Sequence, residues 1–210
     1  MTLQNGLIEG GKAYLWVDTL LLSGETGKPL GVGPKAWHGL EQPWAASLTM
    51  IGNPDYLSIP TSMARVNPQD EDSVIEAAQI ALMDYCADGS FGRILLACCF
   101  DEPRLYAIAS DTLLGVPFAA YTLPHYLAPA AAGDTRKVMM LAEMPAAIAE
   151  QVTGNLAWHG SSDLKQAPQK IGGTIVEIIV SRHGVAEREL RLSGKAARAL
   201  KQYRRRPPSH

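Results

Sequence analysis

Short apolar runs, broken by glycine, proline and aspartate, dominate this chain. Leu3 to Ile8 reads as a first strand, with Gly10-Gly11 as the turn after it. Ala13 to Leu22 (AYLWVDTLLL) reads as one buried strand with a single acid, Asp18, in its middle. A carboxylate in that setting is costly unless it is paired or hydrogen-bonded. The glycine-rich stretch Ser23 to Gly33 reads as a long loop. Lys35 to Trp37 and Trp44 to Ile51 read as two more strands, with Gly52-Asn53-Pro54-Asp55 as a turn.

Two helices stand out. Asn67-Pro68 leads to Asp70-Glu71-Asp72, which places negative charge at the positive end of a helix dipole. That helix should run to about Tyr85 and stop near Gly89. Its apolar positions (Val74, Ile75, Ala77, Ala78, Ile80, Ala81, Leu82) wrap most of the surface, so burial on nearly all sides is expected. Arg93 to Phe100 (RILLACCF) reads as a core strand, turned by Asp101-Glu102-Pro103 into Arg104 to Ala109. Val116 to Leu123 reads as a further strand, and Ala142 to Ala157 as the second helix. Gly172-Gly173 introduces Thr174 to Ser181, and Arg182-His183-Gly184 turns into Glu187 to Leu192. A basic segment with Lys195, Arg198, Lys201, Arg204, Arg205 and Arg206 closes the chain. It reads as a solvated tail, although i, i+3 spacing would line its first three charges along one helical face.

The order of strands, helix, strands, helix, strands fits sheets packed together and flanked by helices. With 210 residues, 47% hydrophobic and 19% charged, the chain can bury one sizeable core. A single domain over residues 1–192 followed by the basic tail at 193–210 is expected. The net charge of −2 gives no strong pull toward nucleic acid or membranes. No basic start followed by an apolar stretch marks a signal peptide, and no apolar run reaches the length of a membrane helix. The three cysteines, Cys86, Cys98 and Cys99, form no disulfide framework and point to a reducing cytoplasm. No cysteine or histidine spacing suggests zinc, and no cofactor is expected.

The candidate chemistry lies at the start. Removal of Met1 would leave Thr2 with a free α-amine and a hydroxyl on one residue, a nucleophile with a built-in base. Asp18 and Lys35 are the charged residues that would support it, with Lys28 a rival for the lysine. Asp18 also has a plainer reading, as a loop cap or a partner of Lys12 or Lys28.

Several motifs together resemble the proteasome-type N-terminal-nucleophile hydrolases, with the β-subunits as the nearest type. Gly10 to Thr19 (GGKAYLWVDT) resembles the family's second strand, and the interval from Thr2 to Asp18 matches that between its catalytic threonine and aspartate. Pro34-Lys35-Ala36-Trp37 resembles the catalytic-lysine segment, one residue further from the aspartate. Ile51 to Asp55 resembles the turn that supplies an oxyanion-hole amide. Ile94 to Ile108 and Gly172 to Leu190 resemble two of its hairpins.

The resemblance implies an α+β, four-layer αββα sandwich of two mostly antiparallel sheets flanked by helices. It also implies a threonine peptidase or amidohydrolase acting on a peptide or small amide, and assembly into a ring or smaller symmetric homo-oligomer. Thr2 would be nucleophile and base, Asp18 and Lys35 its electrostatic support, and Gly52 the oxyanion donor. Two stretches depart from the pattern. Ala128 to Gly133 has no serine, and Gln166 to Ile171 has no acid. The groups that would support the threonine are therefore expected to be incomplete. The rival reading is a catalytically degenerate structural or assembly protein on the same fold, with the basic tail as its binding element.

Overall fold

The structure, a computed structural model, describes residues 3–23, 28–51, 57–66, 68–128, 140–153 and 171–204. The first hairpin pairs β1 (Gln4–Glu9) with β2 (Lys12–Asp18) across Gly10 and Gly11. Both glycines have positive φ (58° and 71°), a conformation that only glycine adopts without strain. β11 (Ile175–Ser181) and β12 (Gly184–Leu190) close the same sheet on one side, and β10 (His125–Ala128) closes it on the other, in the order β10-β1-β2-β11-β12.

A second sheet runs β5-β6-β7-β8-β9, from β5 (Ala36–His38), β6 (Trp44–Ile51), β7 (Phe91–Cys98), β8 (Arg104–Ala109) and β9 (Ala120–Thr122). The two sheets meet through Ala13, Leu15, Ala45, Leu95, Ala97, Leu105, Ala107, Ile178 and Val180, all buried. Small residues keep the sheets close. A side chain at Gly6 would collide with Leu95 and Leu105 at under 3 Å.

Helices cover parts of the outer faces. α1 (Ser58–Val66) and α2 (Glu71–Cys86) lie over the second sheet. The start of α2 follows from its sequence. Asp70 accepts the Ser73 N–H at 2.8 Å and the Ser73 hydroxyl accepts the Asp70 N–H at 3.2 Å, a reciprocal cap ahead of Glu71 and Asp72. Its buried stripe is Val74, Ala77, Ala78, Ala81, Leu82 and Tyr85. Ile80 is 47% exposed, so α2 is buried on one side rather than nearly all round. The sequence reading has no counterpart of α1. α3 (Met144–Thr153) and α4 (Gly194–Arg204) pack on the first sheet around Trp16, Ile148, Ile175 and Leu200.

Three expectations are corrected. The strand expected over Ala13 to Leu22 ends at Asp18. Thr19 turns the chain away, and β3 (Leu20–Leu22) pairs instead with β4 (Pro29–Val32), inside the stretch expected to be loop. Among the described residues there are thus three sheets rather than two, and every strand pairing is antiparallel. The expected four-layer αββα sandwich is not clearly formed. Helices of 9 to 16 residues are few among the described residues, and β4 and β12 stay largely open to solvent. The basic segment is no solvated tail up to Arg204. It forms α4, docked through Ala196 and Leu200, while Lys195, Arg198 and Lys201 face solvent. Cys98 and Cys99 are both buried, on opposite faces of the second sheet. Among the described residues no helix is long and apolar enough to cross a membrane.

Candidate active site

The point where β2 stops is also where the candidate residues meet. Asp18 is fully buried at the end of β2, opposite Ile175 at the start of β11. The chain returning from β4 passes alongside, held by the Gly33 N–H donated to the Thr19 carbonyl at 2.9 Å. Two residues later Lys35 enters the interior. Its Nζ donates to Asp18 Oδ1 at 2.8 Å, with 8% and 0% of the two side chains exposed.

The same oxygen accepts the backbone N–H of Leu3 at 2.9 Å, and Oδ2 accepts the N–H of Gly172 at 3.2 Å. A carboxylate with an ammonium and two amides around it is compensated for its loss of water, which answers why an acid stands in an apolar run. Burial pushes the Lys35 ammonium below its ordinary pKa, and the charge and hydrogen bond of Asp18 only partly oppose this.

Flanking bonds make the corner rigid. Thr19 donates its N–H to the Thr174 carbonyl at 3.1 Å, and the Thr19 hydroxyl accepts the Thr174 N–H at 2.9 Å. Gly173 has a φ of +76°, and a side chain there would overlap the Thr19 hydroxyl.

Of the four residues singled out in the sequence, Asp18 and Lys35 are brought into direct contact. Thr2 and Gly52 lie outside the described residues, as do most of the two stretches expected to lack supporting groups. Lys28, the rival lysine, is exposed, and Lys12 stands opposite Glu9 at the far end of the first hairpin. The Leu3 amide, the Gly172 amide and Thr19 were not foreseen. The paired glycines 172–173 were the available signal, since they allow the backbone to approach a buried acid closely.

A separate cleft of about 530 Å³ lies beside Trp37, His38, Trp44, Pro60 and Pro68 and includes neither Asp18 nor Lys35. Among the described residues no cluster of three or more histidines, cysteines or acids could hold a metal ion.

With the fold and the corner at Asp18 defined, comparison with known proteins bears on both. The chain is similar to the solved structure of the Anbu (Gly-1) mutant from Hyphomicrobium sp. strain MC1, with a TM-score of 0.63 over 96% of this chain and 92% of that one. Anbu is a proteasome-like protein. Identity is 13%, so the likeness is one of fold alone. No protein-family model matches the chain, and no curated protein does.

The expected membership in the proteasome-type N-terminal-nucleophile hydrolases is therefore corrected to a similarity of fold, seen in the comparison with Anbu. The physical reason is plain in the motifs. Gly-Gly before a strand and Asp-Glu-Pro between strands are turn chemistry that antiparallel sheets require whatever their function.

Proposed function

We propose that this chain hydrolyses amide bonds, peptides included, through Thr2 once the bond before Thr2 is cut. The observation that carries the proposal is the buried carboxylate of Asp18. One of its oxygens holds both the Lys35 ammonium and the N–H of Leu3, the residue joined to Thr2. A buried cation and the amide of the residue that follows the candidate nucleophile therefore share one carboxylate oxygen. Titratable groups shifted by burial beside a specific charge partner, as Lys35 is beside Asp18, concentrate at functional sites.

The chemistry runs as follows. A free α-amine titrates at about 7.7–8.0, so near neutral pH a useful fraction is unprotonated. It takes the Thr2 hydroxyl proton while the oxygen attacks the amide carbonyl carbon. Lys35 stabilises the oxygen as charge develops on it, and Asp18 holds Lys35 and the Leu3 amide in place. The backbone N–H of Gly52 is the proposed donor to the tetrahedral oxyanion. Collapse breaks the C–N bond, the amine returns its proton to the leaving nitrogen, and an ester remains on Thr2. Water then attacks the ester, giving the acid and restoring the hydroxyl.

Intact-mass analysis of protein purified from its own cells tests the first requirement, a chain that begins at Thr2. Turnover of a panel of peptide amides and peptide esters tests the second. Thr2→Ala should abolish it and Thr2→Ser should retain part of it. Retention of Met1 in all of the protein, or full activity in Thr2→Ala, rejects the reading. A chain that begins at Thr2, folds and turns over nothing favours the non-catalytic alternative.

A further inference from the structure

β1 carries two consecutive amide side chains, Gln4 and Asn5, and both are buried, at 1% and 0% exposure. Adjacent strand residues point to opposite faces, so the two amides enter different interiors. On the inner face Gln4 Nε2 donates to the Ser47 carbonyl at 3.0 Å and lies 3.4 Å from the Arg93 carbonyl, while Thr49 Oγ1 donates to Gln4 Oε1 at 3.2 Å. On the outer face Asn5 Nδ2 donates to Gln151 Oε1 at 2.7 Å and Gln151 Nε2 donates back to Asn5 Oδ1 at 2.9 Å. The Ala128 N–H of β10 donates to the same Asn5 oxygen at 3.2 Å. β1 is thus bolted to the second sheet on one side, and to α3 and its neighbour β10 on the other, two and three residues after Thr2.

Apolar contacts could hold this strand in the sandwich, but they are non-directional and tolerate sliding. Buried amides are not so tolerant. A slip of one residue exchanges the faces, and a shift of about 1 Å already spoils hydrogen bonds that the interior cannot replace with water. We infer that Gln4 and Asn5, with Thr49 and Gln151, form a two-sided amide clamp whose role is to position the start of β1 against Asp18. They are positioning residues, acting through the Leu3 N–H. The functional half of this inference rests on the Thr2 reading, because a nucleophile that precedes β1 in sequence needs the start of that strand held closely.

The test uses the full chain and separates the two claims. Gln4→Met removes the inner bolt and Gln151→Met the outer one, both nearly isosteric. Thr49→Val removes a single bond to Gln4, and Thr49→Ser keeps it. Hydrogen exchange at the Leu3 amide needs no turnover. Gln4→Met, Gln151→Met and Thr49→Val should each speed it by about tenfold or more relative to amides of β7, whose exchange reports global opening. Thr49→Ser should restore it.

In protein that begins at Thr2, kcat should fall by about 100-fold in the two Met variants at unchanged KM, as expected for a misplacement near 1 Å. Leu3 exchange that is unchanged, or that rises only in step with global opening, overturns the clamp. If Gln4→Met fails to fold, the Thr49 pair carries the comparison for the inner bolt, and if Gln151→Met fails, the inner bolt alone decides the clamp. If the wild type turns over nothing, the proposed reaction fails while the exchange result still decides the clamp.

Discussion

Asp18→Asn is the most informative single change, because it acts on a fully buried carboxylate that serves three donors. The variant keeps the shape of the side chain and removes the charge that balances Lys35, which is bonded at 2.8 Å with 8% of its side chain exposed. Removing one partner of a buried pair typically costs about 3–5 kcal/mol, because the remaining charge stays buried without compensation. The Leu3 and Gly172 amides bond to different oxygens of Asp18, so in the variant one of them meets the Asn NH2 donor in place of an acceptor. Urea unfolding followed by tryptophan fluorescence measures the loss. With a slope of about 2 kcal/mol per molar, 4 kcal/mol lowers the midpoint by about 2 M.

The double-mutant cycle is the sharper test. Lys35→Met in the Asp18→Asn background removes the stranded ammonium, so the double variant should be more stable than Asp18→Asn alone. The coupling should fall at the upper end of about 0.5–3 kcal/mol. If Asp18→Asn costs under about 1 kcal/mol, or the two changes add within about 0.5 kcal/mol, the pair is solvated and the electrostatic argument for the site collapses.

Three further outcomes are expected. Gly173→Ala must place a side chain at a φ of +76° against the Thr19 hydroxyl, so it should cost at least about 1–2 kcal/mol and, by moving Gly172 off Asp18, lower any turnover; wild-type stability would refute it. Leu200→Ala should cost about 2–3 kcal/mol in thermal or urea unfolding, because Leu200 is 6% exposed under α3 and the first sheet, whereas Lys201→Ala on the exposed side should stay within about 0.5 kcal/mol.

The third concerns alkaline pH. The Lys35 pKa is lowered in the folded chain by burial, while the unfolded chain keeps the ordinary value near 10.5. Between the two values the unfolded state binds more protons, so this group makes stability rise with pH across that window. Tyr14, Tyr106 and Tyr126, raised chiefly by burial, pull the other way. The readout is therefore the unfolding free energy of the wild type minus that of Lys35→Met, which should increase as pH rises toward 10.5. A flat difference would contradict the direction.

Local order was legible in the chain wherever it depends on near neighbours. Gly10-Gly11 makes a turn because its backbone must take positive φ, and Asp70 with Ser73 starts α2 because two orphan amides need acceptors within reach. The hairpin through Asp101-Glu102-Pro103 is of the same kind. Asp18 could be recognised as a buried acid in need of a partner from its place among apolar residues. Lys35 is preferred over its rival Lys28 on the resemblance alone, since nothing local to either lysine, or to Lys12, shows which one reaches Asp18.

Only the tertiary structure made that choice. It ended β2 at Asp18, turned Thr19 out of the sheet and brought Gly33 to Thr19, and that path alone delivers Lys35 to the carboxylate. The Leu3 and Gly172 amides, 15 and 154 residues from Asp18, are backbone groups that no residue type advertises. Burial of Gln4 and Asn5 on two faces at once likewise depends on which strands and helices close over β1. A pattern of side chains specifies local conformation and the need for a partner. Which partner meets that need is decided by packing at long range, where every candidate competes for the same few buried positions.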